Sequence, residues 1–188
     1  MAATPSTMVP LGTPMPSFQL PDPAGAMHDS TMLPGEHGLL VMFICNHCPF
    51  VKHVADELAR LGRDLPGRAV NVVAIHSNDF ETYPDDAPDR IAAEAEARGY
   101  EFISLVDEDQ QVARAFDAAC TPDFFLYDAE GRLFYRGQLD LSRPGNDEPV
   151  TGADLRRAVD ALVCGEQPPA SQVPSIGCNI KWKQPAGA

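Results

Sequence analysis

The sequence predicts an α/β fold, a three-layer sandwich: a mixed central sheet with parallel strands in its middle, an antiparallel pair at one side and helices on both faces. Three observations carry this. Leu39-Leu-Val-Met-Phe-Ile44 is an unbroken apolar run of strand length, as expected of a strand buried on both faces. Strand-like and helix-like periods alternate after it, which requires parallel strands joined by helical crossovers. Asp123-Phe-Phe-Leu-Tyr127 and Arg132-Leu-Phe-Tyr-Arg136, separated by Asp128-Ala-Glu-Gly131, read as a hairpin.

Each element has its own signal. Pro5, Pro10, Pro14, Pro16, Pro21, Pro23 and Pro34 crowd the N-terminal arm, residues 1–35, and proline cannot donate to a ladder. The arm is therefore expected to be extended, with at most an edge hairpin around Phe18, Leu20 and Met27. The core spans about residues 36–165. After the central strand, Val51, Val54, Leu58 and Leu61 form one helical stripe, with Gly62 as its C-terminal cap. Ala69-Val-Asn-Val-Val-Ala-Ile75 is a β-branched strand that ends in the polar Ser77-Asn78-Asp79. Asp86 and Pro88 open a helix carrying Ile91, Ala92 and Ala95 and closing at Gly99, and Phe102-Ile-Ser-Leu-Val106 is a short strand. A shorter helix carries Val112, Ala113 and Phe116 before the hairpin. Thr151 and Asp154 resemble a capping box for a last helix with a Leu155, Val159 and Leu162 stripe, ended by Gly165. Residues 166–188 form a tail without regular period that holds the only tryptophan and a cysteine. No internal repeat or second domain is legible, so the whole chain is expected to be one domain.

A chain of 188 residues, 44% hydrophobic and 22% charged, has the composition of a soluble globular protein that needs no disulfides to fold. No stretch approaches the roughly 18 apolar residues of a membrane helix. Against 14 Lys and Arg stand 27 Asp and Glu, a net charge of −13, so nucleic acid and anionic membrane would be repelled. The acidic clusters Asp85-Asp86, Asp107-Glu108-Asp109 and Asp147-Glu148 read as solvated surface. Neither a calcium-loop spacing nor a phosphate-binding glycine loop is present, and no cofactor is expected. The N-terminus lacks the basic start and apolar run of a secretory signal, which makes the cytoplasm the expected compartment. Thiols stay reduced there, so five cysteines point to reactivity, metal or burial rather than a disulfide framework.

Cys45-Asn46-His47-Cys48 sets two thiols three residues apart at a strand-to-helix junction. A helix N-terminus favours a thiolate, the nucleophile in disulfide exchange. Cys45 is expected to be the exposed, attacking thiol and Cys48 to resolve the mixed disulfide. Asn46 and His47 modulate the pair, a protonated His47 favouring the thiolate. Pro49 is harmless in the first helical turn.

The run from Leu40 to Val51 with its dithiol, Ala74-Ile-His-Ser-Asn-Asp79, Cys120-Thr-Pro-Asp-Phe-Phe-Leu126, Tyr135-Arg-Gly-Gln138 and Ser175-Ile-Gly-Cys178 together resemble the thioredoxin-like redoxin superfamily. Within it they are most similar to the peroxiredoxin-like branch of the alkyl hydroperoxide reductase and thiol-specific antioxidant family. The resemblance spans roughly residues 14–183 and rests on several separated motifs in order. It implies a thioredoxin-like sandwich, a cis Thr121-Pro122 bond beside the dithiol, and a Thr121 backbone free to pair with substrate. It further implies disulfide or peroxide substrates and a thiol reductant such as thioredoxin or glutathione. A histidine just before the second cysteine also resembles the bacterial periplasmic disulfide oxidases, which implies a more oxidising potential than thioredoxin's, although Asn46 differs from their proline.

The departures matter too. The peroxiredoxin Pro and Thr that precede the peroxidatic cysteine correspond to Val41 and Cys45 when counted from Cys48, and to Gly38 and Met42 when counted from Cys45. Neither register supplies the hydroxyl that orients a peroxide, so disulfide exchange is the leading expectation and thiol peroxidase the alternative. The buried acid of thioredoxins corresponds to Leu39, leaving His47, Asp123 or water to take the Cys48 proton. Cys120, beside Pro122, and Cys178, in the tail, are auxiliary-thiol candidates, whereas Cys164 is expected to be packed and inert. Cys45, Cys48, His47 and Cys178 could make a soft metal or redox-sensing site, but a single dithiol is weak evidence and no metal is assigned.

Overall fold

Gly38–Phe43 lies at the centre of the computed structural model, which describes residues 3–184. In chain order the strands are β1 (Ala3–Pro5), β2 (Gln19–Pro21), β3 (Met27–Asp29) and β4 (Gly38–Phe43). Then follow α1 (Pro49–Asp64), β5 (Val70–His76), α2 (Pro88–Arg98), β6 (Ile103–Val106) and α3 (Gln111–Ala115). β7 (Cys120–Thr121), β8 (Asp123–Asp128), β9 (Leu133–Arg136), α4 (Ala153–Val163) and β10 (Ile176–Asn179) complete the fold.

The main sheet runs β6-β5-β4-β8-β9, with β4 parallel to β5, β5 parallel to β6, and β8 antiparallel to both β4 and β9. Alternate side chains of β4 serve opposite faces. Leu40 and Met42 pack with Val54 and Leu58 of α1 and Leu155 and Val159 of α4. Leu39, Val41 and Phe43 pack on the other side with Leu20 of the N-terminal hairpin and with Val112 and Phe116. Each fully buried side chain of this size contributes about 1.5–3 kcal/mol, which explains why β4 is apolar throughout. No helix among the described residues is long and apolar enough to cross a membrane.

Several local expectations are corrected. Gly62 does not cap α1; it is buried inside the helix, where a Cβ would press on the Phe102 ring, so it allows helix and strand to approach. α4 has no capping box: Gly152 is its N-cap, and Asp154 instead accepts from Gln138. Cys164 is exposed, because the apolar stripe of α4 has ended at Leu162 and the helix caps at Cys164 itself. The arm is more than a hairpin, and the tail is not irregular. β1, β10 and β7 form a second sheet in which Ala3 pairs with Cys178 and Cys178 with Thr121. Short, proline-containing segments give too few periods to announce such strands.

Two of the clusters assigned to solvent hold buried acids. Asp107 accepts from Ser77 and from the N–H groups of Val112 and Ala113, closing the first turn of α3. Asp86 is buried beneath the dithiol loop.

Arg136, 0% exposed, is the largest fully buried side chain. Its guanidinium donates to Ser6 Oγ at 2.8 Å, the Asp117 carbonyl at 2.9 Å and Asp123 Oδ2 at 3.2 Å, and lies 4.1 Å over the Phe125 ring. It thereby ties the arm, the end of α3 and β8 together. Burial pushes the Asp123 carboxyl up, and Arg136 opposes that shift. Removing one partner of a buried pair leaves an uncompensated charge. Arg136→Met should therefore cost about 3–5 kcal/mol in urea unfolding. Arg68→Ala, which breaks an exposed pair with Asp160, should cost less than about 1 kcal/mol. Equal losses would contradict this role for Arg136.

Candidate active site

β4 ends at Phe43 and α1 starts at Pro49, so Cys45-Asn46-His47-Cys48 forms the turn between the central strand and its helix. Such turns, at the carboxyl edge of an open sheet, are where chemistry collects. Cys48 is the N-cap of α1 with extended backbone, and Pro49 at the first helical position loses no intrahelical bond. The Val51 N–H faces the Cys48 sulfur, as it would a capping oxygen, without closing a regular cap bond.

The Thr121–Pro122 peptide is cis, as the resemblance implied. It lies against the dithiol: Cys45 Sγ is 3.3 Å from Thr121 Oγ1, and Cys48 Sγ is 3.1 Å from the Thr121 carbonyl oxygen, which accepts from the thiol when it is protonated. All five cysteines are free thiols. Three of the four candidate thiols gather here, Cys45, Cys48 and Cys178, which belong to one buried cluster. Cys120 is buried alongside, within electrostatic reach of Cys48 and Cys178, but points its thiol at the Pro122 carbonyl.

Two expectations change. Cys45 is not the exposed member: it is 1% exposed and Cys48 0%, because Thr121 and the first turn of α1 enclose both. Nor is the Thr121 backbone open to a substrate strand, since β10 of the same chain pairs with it. Gly177 makes that approach possible, as a Cβ there would run into the Thr121 carbonyl. Ser175 Oγ donates to the Pro122 carbonyl at 2.8 Å, fixing the strand's entry.

The charge of the dithiol is divided unevenly. A hydrogen bond from Cys45 brings the Cys48 thiol down to about 4, against the cost of burial, with help from Cys178, Thr121 and the Val51 N–H. The same shared proton, with burial and the nearby Asp86 charge, drives the Cys45 thiol far above its ordinary range. Burial pushes Cys178 up to about 12, and its bond to Cys48 adds to the shift. The two thiols are coupled and ionise as a pair, the proton they share lowering one pKa and raising the other. Asp123, a candidate for the Cys48 proton, is held by Arg136; Cys45 shares that proton instead.

Asp86 is the site residue that the sequence concealed. Its Oδ1 accepts from the Asn46 N–H at 2.7 Å and its Oδ2 from Asn78 at 2.8 Å, while the Asn46 side chain donates to the Asp85 carbonyl. His47 Nδ1 lies 2.7 Å from Asp86 Oδ2, an ion pair in which the N–H is not aligned on the oxygen. The His47 ring stacks on Tyr83 with centroids 5.4 Å apart. Only the proximity of Asp86 to the prolines that open α2 could have hinted at a turn, and nothing local linked it to His47. Cys45, His47 and Asp86 present ligand atoms within 4.8 Å of one another, the group among the described residues most able to hold a metal ion. The carboxylate and imidazole there are already engaged with each other.

Asp86 raises the His47 pKa, against the effect of burial. Burial of Asp86 is likewise outweighed by His47, Asn78 and the Asn46 N–H, and its own pKa falls. The His47 contribution to stability is therefore complete below its unfolded pKa, about 6.5, and is lost as pH rises through the higher folded value. The Asp86 contribution holds above its unfolded value and is lost as pH falls through the lower folded one. Asp86→Asn should move the His47 imidazole titration, followed by NMR, to lower pH; an unmoved titration would contradict the pairing.

Comparison with known proteins agrees with this geometry. An uncharacterised conserved protein from Geobacillus kaustophilus superposes with a TM-score of 0.96 at 50% identity, covering 99% of each chain. A hypothetical protein from Sinorhizobium meliloti superposes at 0.95 with 49% identity, over 97% of this chain and 100% of its own. A secreted Mycobacterium tuberculosis disulfide oxidoreductase, homologous to E. coli DsbE, shares the thioredoxin-like fold at a TM-score of 0.59 and 20% identity, over 77% of this chain and 95% of its own. No curated protein matches the chain. The sequence pattern of the AhpC/TSA family runs from residue 11 to residue 136, across the dithiol, the cis-proline and Arg136, and the chain belongs to that family.

Proposed function

We propose that the protein is a thiol-disulfide oxidoreductase whose Cys45–Cys48 dithiol carries an electron pair through a mixed disulfide. The observation that carries this reading is the Cys48 sulfur at a helix N-cap, with the Cys45 thiol on the same turn and both set against Thr121 of the cis Thr121–Pro122 bond. A depressed thiol pKa at such a position is what disulfide exchange requires.

In the first step Cys48 thiolate attacks a substrate disulfide; its S–S bond breaks and one substrate sulfur leaves, to be protonated. Cys48 is then neutral, and a principal cause of the high Cys45 pKa, the shared proton, is gone. Cys45 loses its proton, attacks Cys48 and expels the second substrate sulfur. The dithiol has been oxidised by two electrons and the substrate disulfide reduced by two. An external thiol, of the thioredoxin or glutathione class, returns the pair to the dithiol. The sequence assigned the attack to Cys45; we assign it instead to Cys48, the sulfur at the helix N-cap, with Cys45 resolving. His47, its pKa raised by Asp86, lies on the same turn as both thiols.

Peroxide reduction is less well supported, because Cys45 occupies the place of the hydroxyl that would orient a peroxide relative to Cys48. The reading is tested with insulin or a small aromatic disulfide as substrate. Cys48→Ser should reduce turnover at least 100-fold, since the attacking sulfur is lost. Cys45→Ser combined with Cys178→Ser, which removes both thiols clustered with Cys48, should accumulate a mixed disulfide on Cys48. Unchanged turnover in Cys48→Ser, or a mixed disulfide on Cys45 in that variant, would contradict the assignment.

A further inference from the structure

Cys178 has no part in the two-thiol cycle, yet the fold positions it with care. Three independent features bring it to Cys48. β10 lies between β1 and β7, and its register places Cys178 directly opposite Thr121, the residue whose carbonyl is 3.1 Å from Cys48 Sγ. Gly177 permits the strand to lie against the Thr121 carbonyl at van der Waals contact or closer. The segment beyond is clamped: Lys181 donates from its N–H to Asn78 Oδ1, its carbonyl accepts from Asp79 and Gln110, and Trp182 packs under Arg114. Asn78 also holds Asp86, so the clamp on the tail and the clamp on the dithiol loop share one side chain.

We infer that Cys178 is a second disulfide partner of Cys48, so that Cys48 exchanges between a Cys45–Cys48 and a Cys48–Cys178 linkage. The inference deepens the dithiol reading and rests on it for the starting disulfide. In the exchange, Cys178 loses its proton and attacks Cys48 Sγ. The Cys45–Cys48 bond breaks, the Cys48–Cys178 bond forms, and Cys45 leaves as a thiolate that takes up the proton. No electrons are gained or lost overall, so no further oxidant is needed. Both sulfurs belong to one buried cluster, with the Thr121 carbonyl 3.1 Å from Cys48 Sγ and Thr121 itself paired to Cys178.

Cys178 is 1% exposed and is buried in the same cluster as Cys48. Cys120, equally buried, points its thiol at the Pro122 carbonyl and is not assigned this role. The high pKa of Cys178 arises partly from its bond to Cys48, and that contribution disappears once Cys48 enters a disulfide. The resulting linkage would join the N-terminus of α1 to the tail strand and free Cys45 as a thiol in the oxidised protein.

The test is a disulfide map of the full chain, oxidised stepwise with diamide, quenched with acid, alkylated and analysed by mass spectrometry. Wild type should yield both linkages. Cys45→Ser should yield Cys48–Cys178 with loss of both alkylation sites. Alkylation of both Cys48 and Cys178 in Cys45→Ser, under conditions where wild type has closed Cys45–Cys48, would overturn the inference. If circular dichroism shows that the variant does not fold, the wild-type series decides, and absence of Cys48–Cys178 at every time point overturns it. A wild type that forms Cys48–Cys178 but never Cys45–Cys48 would contradict the dithiol cycle while supporting the role of Cys178.

Discussion

The start of α1 at Pro49, directly beyond the carboxyl end of the central strand, is the constraint on which the site depends. A helix start leaves backbone donors unpaired, and the first side chain able to face them is that of Cys48. Because β4 is buried on both faces, the turn that follows it is rigidly placed, and the dithiol inherits that placement. The sulfur therefore meets a helix N-terminus, a neighbouring thiol and the Thr121 carbonyl in one small volume. Burial alone would raise both thiol pKa values. One is lowered instead because the two sulfurs share a proton.

Around that turn the fold builds two supports from polar groups in an otherwise apolar interior. Asp86 fastens the Asn46 backbone and lies against His47, so one buried acid fixes both middle residues of the dithiol turn. Its negative charge also helps keep the proton on Cys45. Arg136 supports the opposite side by joining Ser6, Asp117 and Asp123, and so keeps the arm and β8 beneath the second sheet. That second sheet closes over Thr121, so substrate must reach the thiols by a route other than pairing with the Thr121 backbone.

The sequence made the main sheet, its helices and the dithiol legible, because each carries a period or spacing several residues long. The Leu39–Ile44 run, the Val51, Val54, Leu58 and Leu61 stripe and the Asp128-Ala-Glu-Gly131 turn are local signals, and each corresponds to an observed element. What remained hidden is nonlocal. Asp86 belongs to a run of acids that looks solvated until the chain folds it beneath His47. β1 and β10 are short and contain proline or glycine, and only their pairing across the molecule makes them strands. The setting of the two thiols follows from contacts of Cys45 and Cys48 with Thr121, more than 70 residues away, and from the approach of Cys178, none of which spacing can reveal. Cys164 shows the converse: a cysteine flanked by valine and glycine at a helix end reads as packed, but the helix has turned it to solvent.

The central claim is that the first negative charge of the dithiol rests on Cys48 rather than Cys45. Thiolate ultraviolet absorbance followed against pH in wild type, Cys45→Ser and Cys48→Ser tests it most directly. The account predicts an acid step near pH 4 in wild type, its displacement to higher pH in Cys45→Ser, where the proton-sharing thiol is gone, and its loss in Cys48→Ser. A step that persists in Cys48→Ser and vanishes in Cys45→Ser would place the charge on Cys45 and contradict it.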